Sequence, residues 1–402
     1  MPKYKDMLNK AAKAWNCPDM LDSVKDCIPK IPFSAPMLNW MTYGGVPRGR
    51  IVEFFGEEGG GKSTTSVDIC YQAKQVFQKE FEDKVQEYRD KISQGKKEYT
   101  GPLEDLLDQG PKAVVYWDLE HSFDWQWAGK MGLKKGDIDV AQPPDVAAED
   151  LCQVIQDSIV TGEIGLIVID SIPSLVTKSE LEKKYGERTV SALAGLMTIF
   201  MRKLTPLTGR YDCTVILINQ VRDNMDNPYV VQTPGGRAIK FYCTTRIYFR
   251  KGAPVDFAGN ELPQNTENPN GYLINTKLMK QKGAAFDRKV ASYFLMADSG
   301  IREDFDYAKL AIQKYNIIQK SGGWFTMCNP ETGEVLEDEG KVVKINGLVR
   351  VYDYLATHSE YYNAIKRYIN ADIGLDTSTM DGVAPSESEV VCNIDDGSEG
   401  EA

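Results

Sequence analysis

Ile51-Val52-Glu53-Phe54-Phe55-Gly56-Glu57-Glu58-Gly59-Gly60-Gly61-Lys62-Ser63-Thr64 is the stretch that decides the fold. A short apolar run reads as a buried strand, and the apolar-periodic residues from Ser63 onward read as a helix. Between them, Gly56 to Ser63 satisfies GxxxxGK[ST] in the strand-to-helix context that gives the motif its meaning. Glycines let backbone N–H groups close around phosphate oxygens, and the helix N-terminus adds partial positive charge. Lys62 is expected to reach the terminal phosphates, and the Ser63 hydroxyl to ligate a magnesium ion. The expected nucleotide contacts are therefore Gly56, Glu57, Glu58, Gly59, Gly60, Gly61, Lys62, Ser63 and Thr64, with ATP as the ligand.

Outward from this loop, further β-branched runs alternate with helical patterns: AVVYWDLE (113–120), a helix near 147–161, LIVIDS (166–171), a helix near 190–205, and TVILINQ (214–220). Continuous apolar strands separated by helices indicate an α/β core, a mostly parallel sheet covered on both faces. Functional residues then belong at the carboxyl ends of the strands. Asp170 closes its strand there and is the second expected magnesium ligand, acting through water. Hydrolysis also needs a group to activate water, and Glu120 at the end of its strand is the candidate base. Gln220 ends TVILINQ, where its neutral amide is placed either to contact a γ-phosphate and transmit its loss to the following segment or simply to satisfy the turn.

The flanks have a different character. Residues 1–31 read as a helical arm, with Met7, Leu8, Ala11, Ala12 and Trp15 at helical spacing, before the core of 32–300. Residues from about 78 to 111 are highly charged and helix-prone, a solvated helical excursion ahead of the second core strand. Residues 301–371 read as a small, mostly helical C-terminal domain around GGWFTMCNPETGEV. The tail, 372–402, carries nine acidic residues and no lysine or arginine, and its composition predicts disorder. Without it the net charge of −11 falls to about −2, so contacts to nucleic acid must come from local basic loops.

The eight cysteines include no CxxC pair and there are only two histidines, which argues for reduced structural thiols and against a zinc site. No apolar run reaches the roughly 20 residues that span a bilayer. The opening MPKYKDMLNKAAKAW lacks a signal-peptide profile. A cytoplasmic protein with no membrane partner is expected.

Eight segments in order resemble the RecA family of DNA recombinases, and within it the phage recombinases of the UvsX type. They are GVPRGRIVEFFG (45–56), DLEHSFDWQWAGKMG (118–132), VIDSIPSLVTKSELE (168–182), MRKL (201–204), INQVR (218–222), GGRAIKFY (235–242), KLMKQKGAAF (277–286) and GGWF (322–325). The resemblance covers roughly 32–327. It implies a RecA-type P-loop ATPase core and a protein that forms a helical filament of itself on single-stranded DNA. Such a filament pairs its strand with homologous double-stranded DNA in recombination and repair, alongside single-strand-binding and mediator proteins. It also implies the bacterial cytoplasm of a phage-infected cell.

Carried over residue by residue, the resemblance implies that Glu120 activates water, Asp124 contacts the adenine side and Trp127 stacks on the base. Gln220 is similar to the γ-phosphate sensor. Lys280 and Lys282 are similar to a pair reaching the neighbouring subunit's ATP, and their spacing of two puts both on one face of a strand. Lys240 and Phe241 fall at a subunit contact sensitive to Gln220, although Phe241 reads equally well as core. Two segments resemble the DNA-binding loops: from Lys178 to about Gly195, with Lys183, Lys184 and Arg188, and from Val221 to Ile239, with Arg222, Gly235, Gly236 and Arg237. Arg202 matches a phosphate-contacting arginine. Gly59, Gly60 and Gly195 depart from the bacterial pattern, which has two serines and an arginine there. Two other classes share parts of this pattern. A hexameric helicase would carry an arginine finger in place of the lysine pair, and an ATP-gated scaffold would lack DNA-stimulated turnover.

Overall fold

β-Branched residues fill the central strands because both faces of the sheet are covered, and the computed structural model shows the result. It describes residues 3–14, 28–183, 192–221 and 232–375. Before the sheet come helix α1 (Lys3–Ala14), strands β1 (Lys30–Ile31) and β2 (Val46–Pro47), which pair antiparallel, and helix α2 (Pro36–Thr42). The main elements follow: β3 (Ile51–Gly56), α3 (Lys62–Ser93), α4 (Thr100–Gln109), β4 (Ala113–Asp118), α5 (Trp125–Lys130), β5 (Asp139–Ala141), α6 (Ala148–Val160), β6 (Ile164–Asp170) and α7 (Lys178–Leu181). Then come α8 (Ala192–Tyr211), β7 (Thr214–Gln220), α9 (Arg237–Tyr242), β8 (Thr245–Val255), β9 (Gly271–Gln281), β10 (Val290–Met296) and β11 (Gly300–Ile301).

Nine strands form one sheet in the order β11-β10-β9-β8-β3-β7-β6-β4-β5. From β8 to β5 all neighbours are parallel, while β9, β10 and β11 continue the sheet antiparallel. Strands β3, β6 and β7 are buried almost throughout, as their unbroken apolar runs require. One core packs Ile155 and Ile159 of α6 and Phe200, Met201 and Leu204 of α8 with Ile167, Ile169, Val215 and Leu217 of the strands. Helix α3 covers the strands as well, with Ile69, Cys70, Ala73 and Phe77 buried. The five cysteines among the described residues that are free, Cys70, Cys152, Cys213, Cys243 and Cys328, are buried.

The charged segment 78–111 is the far part of α3 followed by α4, mostly exposed. Its turn is fastened by Tyr88 and Tyr99, whose ring centroids lie 5.5 Å apart, with the Lys91 ammonium 4.6 Å from the centre of Tyr99. In α1, Tyr4 and Met7 are exposed and Ala12 is buried; Trp15 lies outside the described residues.

The chain divides into two compact units between Asp306 and Tyr307, within helix α10 (Glu303–Gln313). The second unit is less helical than its sequence pattern predicts. Strands β12 (Ile318–Ser321), β13 (Trp324–Met327) and β16 (Lys344–Asn346) form an antiparallel sheet, with β14 (Glu337–Asp338) and β15 (Lys341–Val342) paired as a ribbon. Helices α11 (Leu348–Thr357) and α12 (Ser359–Ile373) follow. Asp372 and Ile373 are the end of α12, and from residue 376 the acidic tail lies outside the described residues. Among the described residues no helix is long and apolar enough to cross a membrane.

Candidate active site

The carboxyl edges of β3, β4, β6 and β7 bring four of the expected residues together. Gly56 ends β3 where a Cβ would lie 1.9 Å from the Phe249 carbonyl oxygen, so β8 leaves room only for glycine. Gly61 caps α3 at φ +85°, with the Tyr293 hydroxyl 2.9 Å from where a Cβ would stand. Lys62 folds back into the loop, its Nζ donating to the carbonyl oxygens of Gly56 (3.1 Å) and Glu57 (2.6 Å). Burial lowers the pKa of this amine, and the carboxylates of Asp170, Glu120, Glu58 and Glu57 oppose that shift. Glu57 also accepts from the Tyr248 hydroxyl at 3.2 Å.

Behind the loop lies a network that sequence reasoning missed. Thr65 shares a 2.6 Å hydrogen bond with the buried Tyr293 hydroxyl. One turn along α3, the buried Asp68 carboxylate accepts from the backbone N–H and the hydroxyl of Ser34. Burial raises the Asp68 pKa to about 6.

Asp170 ends β6 and is joined to Ser171 by a cis peptide bond. Tyr116 donates to Asp170 Oδ2 at 2.6 Å, and the Ser63 hydroxyl bonds it as well. Burial raises the Asp170 pKa, against the pull of these two hydrogen bonds. A serine hydroxyl and a carboxylate sharing one spot beside the phosphate loop are hard oxygen donors, the set a magnesium ion takes.

Strand β4 ends at Asp118 and not at Glu120, because the buried Asp118 carboxylate turns back onto the N–H groups of Ser122 (3.1 Å) and Phe123 (2.9 Å). His121, at φ +54°, makes the reversal. Glu120 therefore sits on an exposed loop, where its Oε1 accepts from the Ser171 hydroxyl and from Gln220 Nε2 at 3.3 Å. Gln220 is set in turn by Asn219, whose Oδ1 accepts the Gln220 N–H at 3.0 Å. The Asn219 amide donates to Glu53 (3.0 Å) and to the Pro234 carbonyl (3.1 Å), which ties the end of β7 to the segment before Gly235. Glu53 also forms a buried ion pair with Arg246. The alternation in AVVYWD puts Tyr116 and Asp118 on one face, the one signal for either residue that the sequence holds.

On the flank of the loop, Trp127 Nε1 donates to Thr64 Oγ1 at 3.2 Å, and the Lys130 ammonium lies 5.2 Å from the centre of the indole. Asp124 caps α5, accepting from the Gln126 N–H at 2.7 Å.

The structure does not bring Lys280 and Lys282 to this edge. β9 runs antiparallel to β8, with Lys280 opposite Arg246, which is itself opposite Glu53 of β3. That level lies three residues before Gly56, about 10 Å on the amino side. Lys280 Nζ donates to the carbonyls of Lys240 (2.6 Å) and Phe241 (2.8 Å), and Lys282 Nζ to that of Phe241 (3.4 Å), so both cap the end of α9. Burial lowers the pKa of Lys280 and of Lys240. Phe241 is 69% exposed, which removes the core reading of that residue.

Of the expected DNA contacts, Lys183, Arg202 and Arg237 are exposed, and Gly235 and Gly236 have φ of +83° and +80°. Lys184, Arg188 and Arg222 lie outside the described residues.

The family described as RecA N-terminal domain matches residues 102–302, half of the chain. The chain belongs to the RecA family. It is a DNA recombinase of recombination and repair and a DNA-dependent ATPase. The family match begins inside α4, after most of the charged segment that separates β3 and the phosphate loop from β4. Protein RecA of Citrifermentans bemidjiense is 30% identical over 305 residues, 75% of this chain and 76% of the relative. Protein RecA of Clostridium perfringens is 29% identical over 310 residues, covering 76% and 74%. Protein RecA of Paracoccus denitrificans is 28% identical over 350 residues, covering 87% and 81%.

Proposed function

We propose that this RecA-family chain forms a helical filament on single-stranded DNA and pairs that strand with homologous duplex, with ATP bound in one subunit and hydrolysed with help from the next. The observation that carries the reading is the division of cations. Lys62 stands in the phosphate loop, while Lys280 lies about 10 Å toward the amino side along the strands and Lys282 further still, where they serve another subunit's nucleotide more readily than their own.

In this reading the phosphate loop holds the triphosphate, and Lys62 exchanges its two loop carbonyls for phosphate oxygens. Ser63 and Asp170 would hold magnesium, which when bound offsets charge on the phosphate oxygens. Glu120 accepts a proton from the attacking water as the new O–Pγ bond forms and the bond from Pγ to the bridging oxygen breaks, its electron pair leaving with ADP. The Gln220 amide, which bonds Glu120, turns to the γ-phosphate in this reading and pulls on Asn219, Pro234 and the second DNA loop. Trp127 stacks on the base, with Asp124 on the same side. Lys183, Lys184, Arg188, Arg202, Arg222 and Arg237 neutralise phosphates, and Gly235 and Gly236 allow close backbone approach. Lys240 and Phe241 meet the adjoining subunit, as does the arm 1–31. The division into arm, core, C-terminal domain and acidic tail belongs to the same proposal, as do single-strand-binding and mediator partners. The phage-type character and the cytoplasm of a phage-infected cell rest on the sequence resemblance.

The test is ATP hydrolysis with and without single-stranded DNA, together with strand exchange on homologous and unrelated duplexes. DNA-stimulated turnover with exchange confined to the homologous duplex is expected. Turnover indifferent to DNA, with no pairing, overturns the reading.

A further inference from the structure

Glu120 occupies an exposed loop two residues beyond its strand, and a free glutamate side chain there has rotamer entropy to lose when it is held in one orientation. A base works only when its oxygen is held toward the attacking water. Among the described residues, the hydrogen bonds to this carboxylate come from Ser171 and Gln220, and both fall on Oε1. The two donors differ. Gln220 is exposed and, in the proposed cycle, leaves Glu120 for the γ-phosphate. Ser171 is 1% exposed and starts the turn Ile172–Ser174, so its hydroxyl stays in place when Gln220 leaves.

We propose that Ser171 is a positioning residue for the hydrolytic step: its buried hydroxyl pins Glu120 Oε1 and so turns Oε2 toward the water.

The bookkeeping of protons agrees. A serine hydroxyl has one hydrogen, and an ionised carboxylate only accepts. Ser171 therefore spends its hydrogen on Glu120, and in the 3.3 Å contact between the hydroxyls of Ser174 and Ser171 it is Ser174 that donates. The chain runs Ser174 to Ser171 to Glu120. Its hydrogens stay where they are through turnover, since the proton from water arrives on Oε2. The separation of 51 residues between Ser171 and Glu120 makes the contact tertiary, fixed by the pairing of β4 with β6.

The inference rests on the reading of Glu120 as base, and the experiment separates the two. Steady-state ATP hydrolysis by the full chain on saturating single-stranded DNA is measured for wild type, Ser171→Ala, Glu120→Gln and the double variant. Ser171→Ala is expected to lower kcat about tenfold, with KM for ATP within about twofold. In the Glu120→Gln background the same change is expected to cost less than about twofold, because the side chain being positioned no longer serves as base. Ser171→Cys fills nearly the same space with a weak donor and is expected to lose as much as Ser171→Ala. It carries the test if the alanine variant fails to fold, as thermal unfolding will tell. Slow Glu120→Gln with Ser171→Ala at full rate overturns the Ser171 role and leaves the base reading standing. An equal loss from Ser171→Ala in both backgrounds also overturns it, since the serine then acts elsewhere. Full-rate hydrolysis by Glu120→Gln overturns both.

Discussion

The phosphate-loop edge and the corner where α9 meets β9 both hold lysines, and they hold them differently. At the edge, Lys62, Asp170 and Ser171 are buried, and each is bonded to groups of the same edge. At the corner, two ammonium groups rest on carbonyls at the end of a short helix beside an exposed phenylalanine. The residues of the edge are brought together within one chain. The corner offers cations and an apolar ring outward, and in the proposed filament another subunit completes it.

The sharpest way to break this contrast is to remove the corner's cations. Lys280→Ala with Lys282→Ala is expected to lower kcat about 10³-fold, the scale of a cation supplied in trans, while ATP affinity of the chain without DNA stays within about threefold. Mixing that variant with Glu120→Gln is expected to restore hydrolysis, because the Glu120→Gln subunit lends its lysines to an intact base; no recovery on mixing would place the pair within one chain. Lys62→Ala touches only the edge and is expected to weaken nucleotide binding about 100-fold, as loss of charge-assisted bonds to phosphate would, in a fluorescent-nucleotide titration.

Asp68 sharpens the contrast from beneath the loop. Its folded pKa of about 6 lies above the ordinary 3.8, so the folded state holds this proton more tightly than the unfolded chain does. The ionised carboxylate then reduces stability at neutral pH, and the penalty fades as pH falls from about 6 to below 4. Asp68→Asn is expected to gain about 2–3 kcal/mol in urea unfolding at pH 7.5 and under about 1 kcal/mol at pH 4. An equal gain at both values would mean that the carboxylate is not held as its pKa indicates. The smallest effect belongs to Trp127→Ala, expected to weaken ATP about five- to tenfold and to leave inorganic triphosphate binding unchanged.

The sheet was legible because its strands are unbroken β-branched runs and its loop carries a motif with one spacing. Lys62 and Asp170 could be read for the same reason. Other features were not, because they depend on partners distant in sequence. AVVYWDLE reads as one strand through Glu120, and nothing local says that Asp118 turns its carboxylate onto Ser122 and Phe123. Ser171 lies inside a quoted motif, yet its partner is 51 residues away. The spacing of Lys280 and Lys282 put them on one face, but the carbonyls they reach belong to residues 39 to 41 positions earlier. Phe241 offered two readings, and only its exposure separates them. In the second unit, strands of three and four residues are too short for alternation to show, so a sheet passed for helix.

Helix α3 runs without interruption from the phosphate loop at Lys62 to Ser93. At 1.5 Å per residue its 32 residues make a rod about 48 Å long, with one end at Lys62 and the other in solvent. Leverage follows from length alone: a tilt of about 5° at the nucleotide end carries the far tip through roughly 4 Å. The outer turn thus magnifies whatever change of angle is set at the loop.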